Sequence, residues 1–162
     1  MSVMKHTRHW VLGVLAVFCC TSSMAAGILK LSRAELTLTP DKPPGELWAE
    51  NVGDSPLYLD VTQQLVTNPG QSPECLVPVT DVPQPALLVV PGRLVLAPGQ
   101  KYQVMLKELA TPAQAQVWRV TFRPRELLVV DTGSASGTQA PLVVSIGYGV
   151  VVYQLARRMP PQ

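Results

Sequence analysis

The chain predicts an all-β, immunoglobulin-like sandwich of about seven to eight short strands in a single domain, and three observations predict it. The first is period-two alternation: Leu57, Leu59 and Val61 against Tyr58, Asp60 and Thr62, and Trp118, Val120 and Phe122 against Arg119, Thr121 and Arg123. The second is the set of 16 prolines, all beyond residue 39, which stop helices and punctuate strands. The third is the recurrence of turn strings at short intervals with no helical periodicity between them. The hydrophobic fraction of 47% is enough to fill a core, and 162 residues suit one ordinary domain.

The strands follow in order. Ile28 to Thr39 carries Leu29 and Leu31, then Arg33 and Glu35, then Leu36 and Leu38, an alternation that breaks as if the strand changed face midway. Asp41 to Gly45 is a turn, and Glu46 to Asn51 a short strand around Leu47 and Trp48. After the turn at Gly53 to Pro56, Leu57 to Val66 is a strand with one buried face. Asn68 to Gln84 reads as irregular and proline-rich. Ala86 to Val90 is apolar and ends at Pro91-Gly92. Leu94 and Leu96 precede the turn Ala97-Pro98-Gly99-Gln100, and Tyr102 to Leu109 and Val117 to Arg123 alternate again. Asp131 to Thr138 is small and polar, a flexible loop, and Pro141 to Leu155 is a long apolar run.

The N-terminus reads as an export signal over residues 1–25. Lys5 and Arg8 supply a basic start, Trp10 to Cys20 a short apolar run, and Ser23 and Ala25 the small residues of a cleavage site. The run is too short for a spanning helix, which needs about 20 apolar residues. Lipid modification at Cys19 or Cys20 is disfavoured by the bulky Phe18 that precedes them. Residues 26–155 then form the domain and 156–162 a flexible tail.

Export changes the chemistry available. His6 and His9 are the only histidines, so the mature chain would have no imidazole, which excludes Ser-His-Asp and Cys-His catalysis and histidine metal sites. The formal charge of +2 includes Lys5 and Arg8. Without them, 11 basic residues balance 11 acids, which argues against nucleic acid as a partner. Cys75 is left alone and reads as a small buried hydrophobe, the alternative being an exposed thiol that pairs with another chain. Gly133 to Gly137 has its serines at the wrong offsets for a nucleophile elbow, and no phosphate or dinucleotide loop is present. The reading is a non-enzyme with no cofactor and no metal.

Six strings then point to one family. They are Arg33-Ala34-Glu35-Leu36, Asn51-Val52-Gly53-Asp54-Ser55-Pro56-Leu57-Tyr58, Leu87-Leu88-Val89-Val90-Pro91, Leu94 to Gln100, Trp118-Arg119-Val120-Thr121-Phe122-Arg123-Pro124, and Tyr148-Gly149-Val150-Val151-Val152-Tyr153. In this order they resemble the N-terminal immunoglobulin-like domain of PapD-like periplasmic pilus chaperones, over nearly all of the mature chain.

The resemblance implies a periplasmic, Gram-negative chaperone that lends its G1 strand to a pilus or fimbrial subunit lacking its last strand, and that delivers the subunit to an outer-membrane usher. It places the donor in Ala140 to Val152, with Leu142, Val144, Ile146 and Tyr148 on the face entering the subunit groove. Val143, Ser145, Gly147 and Gly149 then face the chaperone's own side and permit close backbone approach. A plain core strand is the alternative. Arg33 matches the family's carboxylate anchor, whose guanidinium fork fixes the register of the added strand; a solvated arginine is the alternative. Two departures stand out. Gly149 occupies the position of the family's second anchor, a lysine, so either Arg119 or Lys30 substitutes for it or carboxylate binding is weaker. The chain also stops at Arg157 to Gln162, about where a second domain begins in the family, so it reads as a fragment, a truncated gene product or a single-domain variant, and the face a second domain would cover would serve self-association. An envelope structural or adhesive sandwich, or a binding module for another partner, are the competing functions.

Overall fold

The computed structural model describes residues 27–125, 128–130, 142–144 and 146–157, the two three-residue segments by backbone alone. The export signal, the loop at 131–138 and residues 158–162 of the tail lie outside the described residues.

Two sheets face each other, antiparallel throughout except for one parallel pairing. One has the order β1 (Leu29–Leu31), β3 (Leu47–Asn51), β8 (Lys101–Glu108), β6 (Leu87–Val90). The other runs β2 (Glu35–Leu38), β12 (Tyr148–Gln154), β9 (Gln116–Pro124), β4 (Leu57–Val66), β5 (Leu76–Pro78), with β7 (Arg93–Leu96) also pairing β4. A separate ladder joins β10 (Leu128–Val130) and β11 (Leu142–Val144).

The break in alternation between Leu31 and Leu36 is the point where the first strand leaves one sheet for the other. β1 pairs antiparallel with β3, and β2 pairs parallel with β12. Both halves bury a leucine face, Leu29 from β1 and Leu36 and Leu38 from β2, and this holds the two layers together at that edge. The predicted strand over Ile28 to Thr39 is thus two strands. The apolar run Pro141 to Leu155 is likewise divided into β11 and β12.

The core is the set of inward positions the alternation marks: Trp118, Val120 and Phe122 of β9, Leu57 and Leu59 of β4, Val150 and Val152 of β12, facing Leu47, Leu87 and Val104 of the other sheet. Each side chain of this size contributes roughly 1.5–3 kcal/mol by leaving water.

Three buried amides complete it, each at an inward position of its strand: Asn51 after Leu47 and Ala49, Gln63 in phase with Leu57 and Leu59, and Gln154 after Val150 and Val152. Asn51 bonds four backbone groups at one end of the sandwich: its Oδ1 accepts from the N–H of Ile28 and Gly53, and its Nδ2 donates to the carbonyls of Ser55 and Leu96. Gly99, at φ 72°, brings its N–H within 2.8 Å of the Asn51 carbonyl, a conformation that favours glycine. Gln63 reaches from β4 to the backbone of β6, donating to Leu87 O and accepting from Val89 N–H, both at 2.9 Å. Gln154 accepts from the Trp118 indole and donates to Ala86 and Ala110 carbonyls.

Two expectations are corrected. The stretch Asn68 to Gln84 is not wholly irregular, because β5 returns along the end of β4, followed by a single 3-10 turn at Val79–Asp81. Cys75 is exposed rather than buried. It immediately precedes β5 at the sheet's margin, where its carbonyl accepts from Thr67 N–H at 3.0 Å and no second layer covers it.

Candidate functional site

Arg33 sits in the three-residue crossing between the two sheets, and its neighbours fix it from both sides. Ser32 donates its N–H to Trp48 O, and its hydroxyl accepts from Trp48 N–H, both at 2.9 Å, which ties the crossing to β3. Ala34 accepts from Val151 N–H at 2.9 Å, which ties it to β12. Between these ties the Arg33 side chain is exposed and makes no hydrogen bond or ion pair among the described residues. A Cβ built on Gly45 would lie 3.7 Å from its Nη1, so the guanidinium stands beside the turn at Asp41 to Gly45.

The parallel register pairs Glu35 with Val151. Continuing it two residues back sets Arg33 across from Gly149. Leu36 and Leu38 point into the core, so Glu35 and, by the same alternation, Arg33 belong to the outer face of the six-stranded sheet. Gly149 is exposed, and a Cβ there would meet nothing within 4 Å, so the close approach expected of this glycine is absent. Gly147 does show it: a Cβ would meet Thr121 Cγ2 at 3.1 Å.

The candidate donor residues fall in two places. Leu142 and Val144 lie in β11, whose described pairing is with β10 alone: Leu128 opposite Val144 and Val130 opposite Leu142. Ile146 and Tyr148 are 56% and 36% exposed, in the link to and at the start of β12. From Val150 onward β12 is a core strand, with Val150, Val152 and Gln154 buried. The apolar run therefore serves the core over its second half and stands outside both sheets over its first.

The two substitute anchors separate. Lys30 projects from the other sheet, 3.9 Å from Glu50, in a depression floored by Trp48 and edged by Lys101. Arg119 lies on β9 directly opposite Val151, on the same outer face as Arg33, but its guanidinium is bound to Glu74. Its Nε is buried with no hydrogen-bond partner among the described residues. Among the described residues, no group of three or more His, Cys, Asp or Glu could hold a metal ion, and no helix is long and apolar enough to cross a membrane.

No protein-family model matches the chain, and no curated protein matches it. Solved structures do. The class 5 fimbriae chaperone CfaA superposes over 81% of this chain and 57% of its own, with a TM-score of 0.63 at 18% identity. The fold is that of a PapD-like chaperone. A chain of the CsuC–CsuE chaperone–tip subunit pre-assembly complex of Acinetobacter baumannii matches the PapD-like fold over 80% of this chain and 57% of its own, at TM-score 0.58 and 10% identity. A chain of the complex of the Salmonella enterica SafA pilin with the SafB chaperone matches over 81% and 55%, at TM-score 0.52 and 13% identity. The chain thus spans a little over half the length of the proteins it superposes on. In this chain β2, which follows Arg33, and β12, which carries Gly149, are neighbours.

Proposed function

We propose that this chain is a chaperone for pilus or fimbrial subunits, and that it lends β11 to a subunit's incomplete sheet. The observation that carries the reading is the position of β11. Among the described residues it pairs with β10 alone, belongs to neither sheet, and is followed closely by the core strand β12. A strand with one edge unpaired offers a row of N–H and C=O groups to an incoming strand. The apolar run Leu142, Val144 and Ile146 then supplies alternate side chains for a groove in the subunit.

Arg33 takes the second role. It is an uncommitted guanidinium on the outer face, next to the strand that continues the donor. A subunit's terminal carboxylate bound in its fork would fix the register of the added strand, since a slip of one residue would turn every apolar side chain the wrong way. The superpositions on fimbrial chaperones, two of them on complexes with a subunit, support this reading. The periplasm as location, an outer-membrane usher as the second partner and self-association in the absence of a subunit belong to the same proposal. The role is one of binding, without a catalytic step.

The test is co-expression of the chain with the fimbrial-type proteins encoded beside it, followed by purification from the periplasm. The expected result is a soluble one-to-one complex that is lost when Leu142 and Val144 are both replaced by serine, while the free variant keeps its thermal transition. A variant that still captures subunits would overturn strand donation by β11. A variant that unfolds would show that both residues belong to the domain's own core.

A further inference from the structure

The outer face of the six-stranded sheet carries a row of arginines that strand donation does not use. Across three adjacent strands, Arg93 of β7 stands opposite Asp60 of β4, and Asp60 stands opposite Arg123 of β9. Arg125, just past the end of β9, forks onto the same carboxylate, with Nε and Nη2 each 2.9 Å from an Asp60 oxygen. Arg93 Nε is 3.6 Å from Asp60 Oδ1, and its side chain is 79% exposed. Three guanidiniums therefore surround one carboxylate, a local surplus of two positive charges among the described residues. The hydrogen bond from Arg125, followed by the fields of Arg125, Arg93 and Arg123, holds the Asp60 carboxyl below its usual range. The row edges a depression of about 570 Å³ floored by Thr62, Gln64 and Gly92.

We infer that this row is a docking surface for an acidic segment of a polypeptide partner. Arg125 is committed to Asp60, while Arg93 and Arg123 keep most of their donors free for carboxylates in bidentate geometry. One step along the same face, Tyr58 and Val95 form an exposed cross-strand pair beside Arg125, whose N–H donates to Tyr58 O. Arginine and tyrosine are the residues enriched at protein interfaces, where tyrosine adds contact area at low entropic cost. The row spans about 10 Å, two strand spacings. On the same face lie the acids Glu35 and Glu74, the latter holding Arg119. A long polyanion laid over the sheet would meet them; a short segment with two or three carboxylates would not. This surface is independent of β11 and Arg33, so its test does not depend on strand donation.

The test is titration of the full chain with a capped, fluorescently labelled octapeptide alternating glutamate with valine, read by anisotropy and by amide chemical-shift changes. The controls are the same peptide with glutamine for glutamate and a labelled oligothymidylate of equal charge. The expected result is binding by the glutamate peptide alone, mapped to β4, β7 and β9. Arg93→Gln with Arg123→Gln weakens it at least tenfold, and Asp60→Asn tightens it, because that change removes the carboxylate that competes. Equal binding of the glutamine peptide, no effect of the double variant, or weaker binding by Asp60→Asn would each overturn the proposal. Equal or tighter binding of the oligothymidylate would replace it with a general polyanion site. Both arginines are exposed, and a retained thermal transition in each variant separates lost binding from lost fold.

Discussion

The backbone N–H of Val151 donates to the carbonyl of Ala34 at 2.9 Å, and this bond extends the parallel ladder of β2 and β12 back into the crossing between the sheets. It makes the crossing at Arg33 part of a rigid ladder rather than a free loop. Ser32 on one side and Ala34 on the other are both fixed by hydrogen bonds, so the guanidinium projects from a constrained backbone while the side chain itself remains uncommitted. A ligand-binding arginine needs this combination, because positional freedom of the backbone would have to be lost on binding.

Arg33→Glu should therefore abolish subunit capture without harming the domain. The side chain is exposed and has no partner among the described residues, so the change in stability should stay within about 0.5 kcal/mol, as for an ordinary surface substitution. Yield of co-purified complex should fall by at least tenfold. A folded variant that still protects subunits would remove Arg33 from the proposed site.

Gly149→Lys should strengthen capture. The position lies across from Arg33 in the parallel register, and a Cβ there enters open space. The expected gain is about tenfold in the dissociation constant, the order of one charge-assisted hydrogen bond. Isothermal titration with a purified subunit reads it. No gain, with the fold intact, would mean that the bound carboxylate does not reach this strand.

Asn51→Ala should destabilise the domain by about 3 kcal/mol, since four side-chain hydrogen bonds are lost and buried backbone groups of Ile28, Gly53, Ser55 and Leu96 lose their partner. Denaturant unfolding measures it. A loss below about 1 kcal/mol would show that water replaces the amide at this end of the sandwich.

The pH dependence of stability should carry a contribution from Asp60. Its carboxyl is held lower in the folded chain than in the unfolded one, chiefly by the hydrogen bond from Arg125. A group depressed in this way contributes stability above its unfolded value, near pH 4, and loses it as the pH falls through the folded value. The melting temperature of the native chain should therefore fall more steeply below about pH 4 than that of Asp60→Asn. Parallel curves would show that the pair is screened by solvent.

Much of this molecule was legible because alternation is a local signal. Each strand that buries one face writes its period of two directly into the chain, so β4 and β9 could be placed from Leu57 and Trp118 alone, whereas the run Val150-Val151-Val152 carries no alternation and could be read as either donor or core. Even the sheet switch left a trace, in the charged Arg33 and Glu35 between two leucine pairs. Short elements that exist by virtue of a distant partner left none. β5 is three residues paired with the end of β4, and β10 is three residues whose pairing among the described residues is with β11 alone.

By itself the sequence determined the all-β class, the strand order along the chain and the apolar content of the last run. Tertiary structure alone decided which residues share a surface. Arg33 and Gly149 are more than a hundred positions apart, and Arg93, Asp60 and Arg123 lie on three strands; only ladder register brings them together. It also decided that Asn51, Gln63 and Gln154 are buried and Cys75 is not. The physical reason is that burial of a polar side chain depends on finding partners for its hydrogen bonds, and those partners are backbone groups that other strands bring into reach.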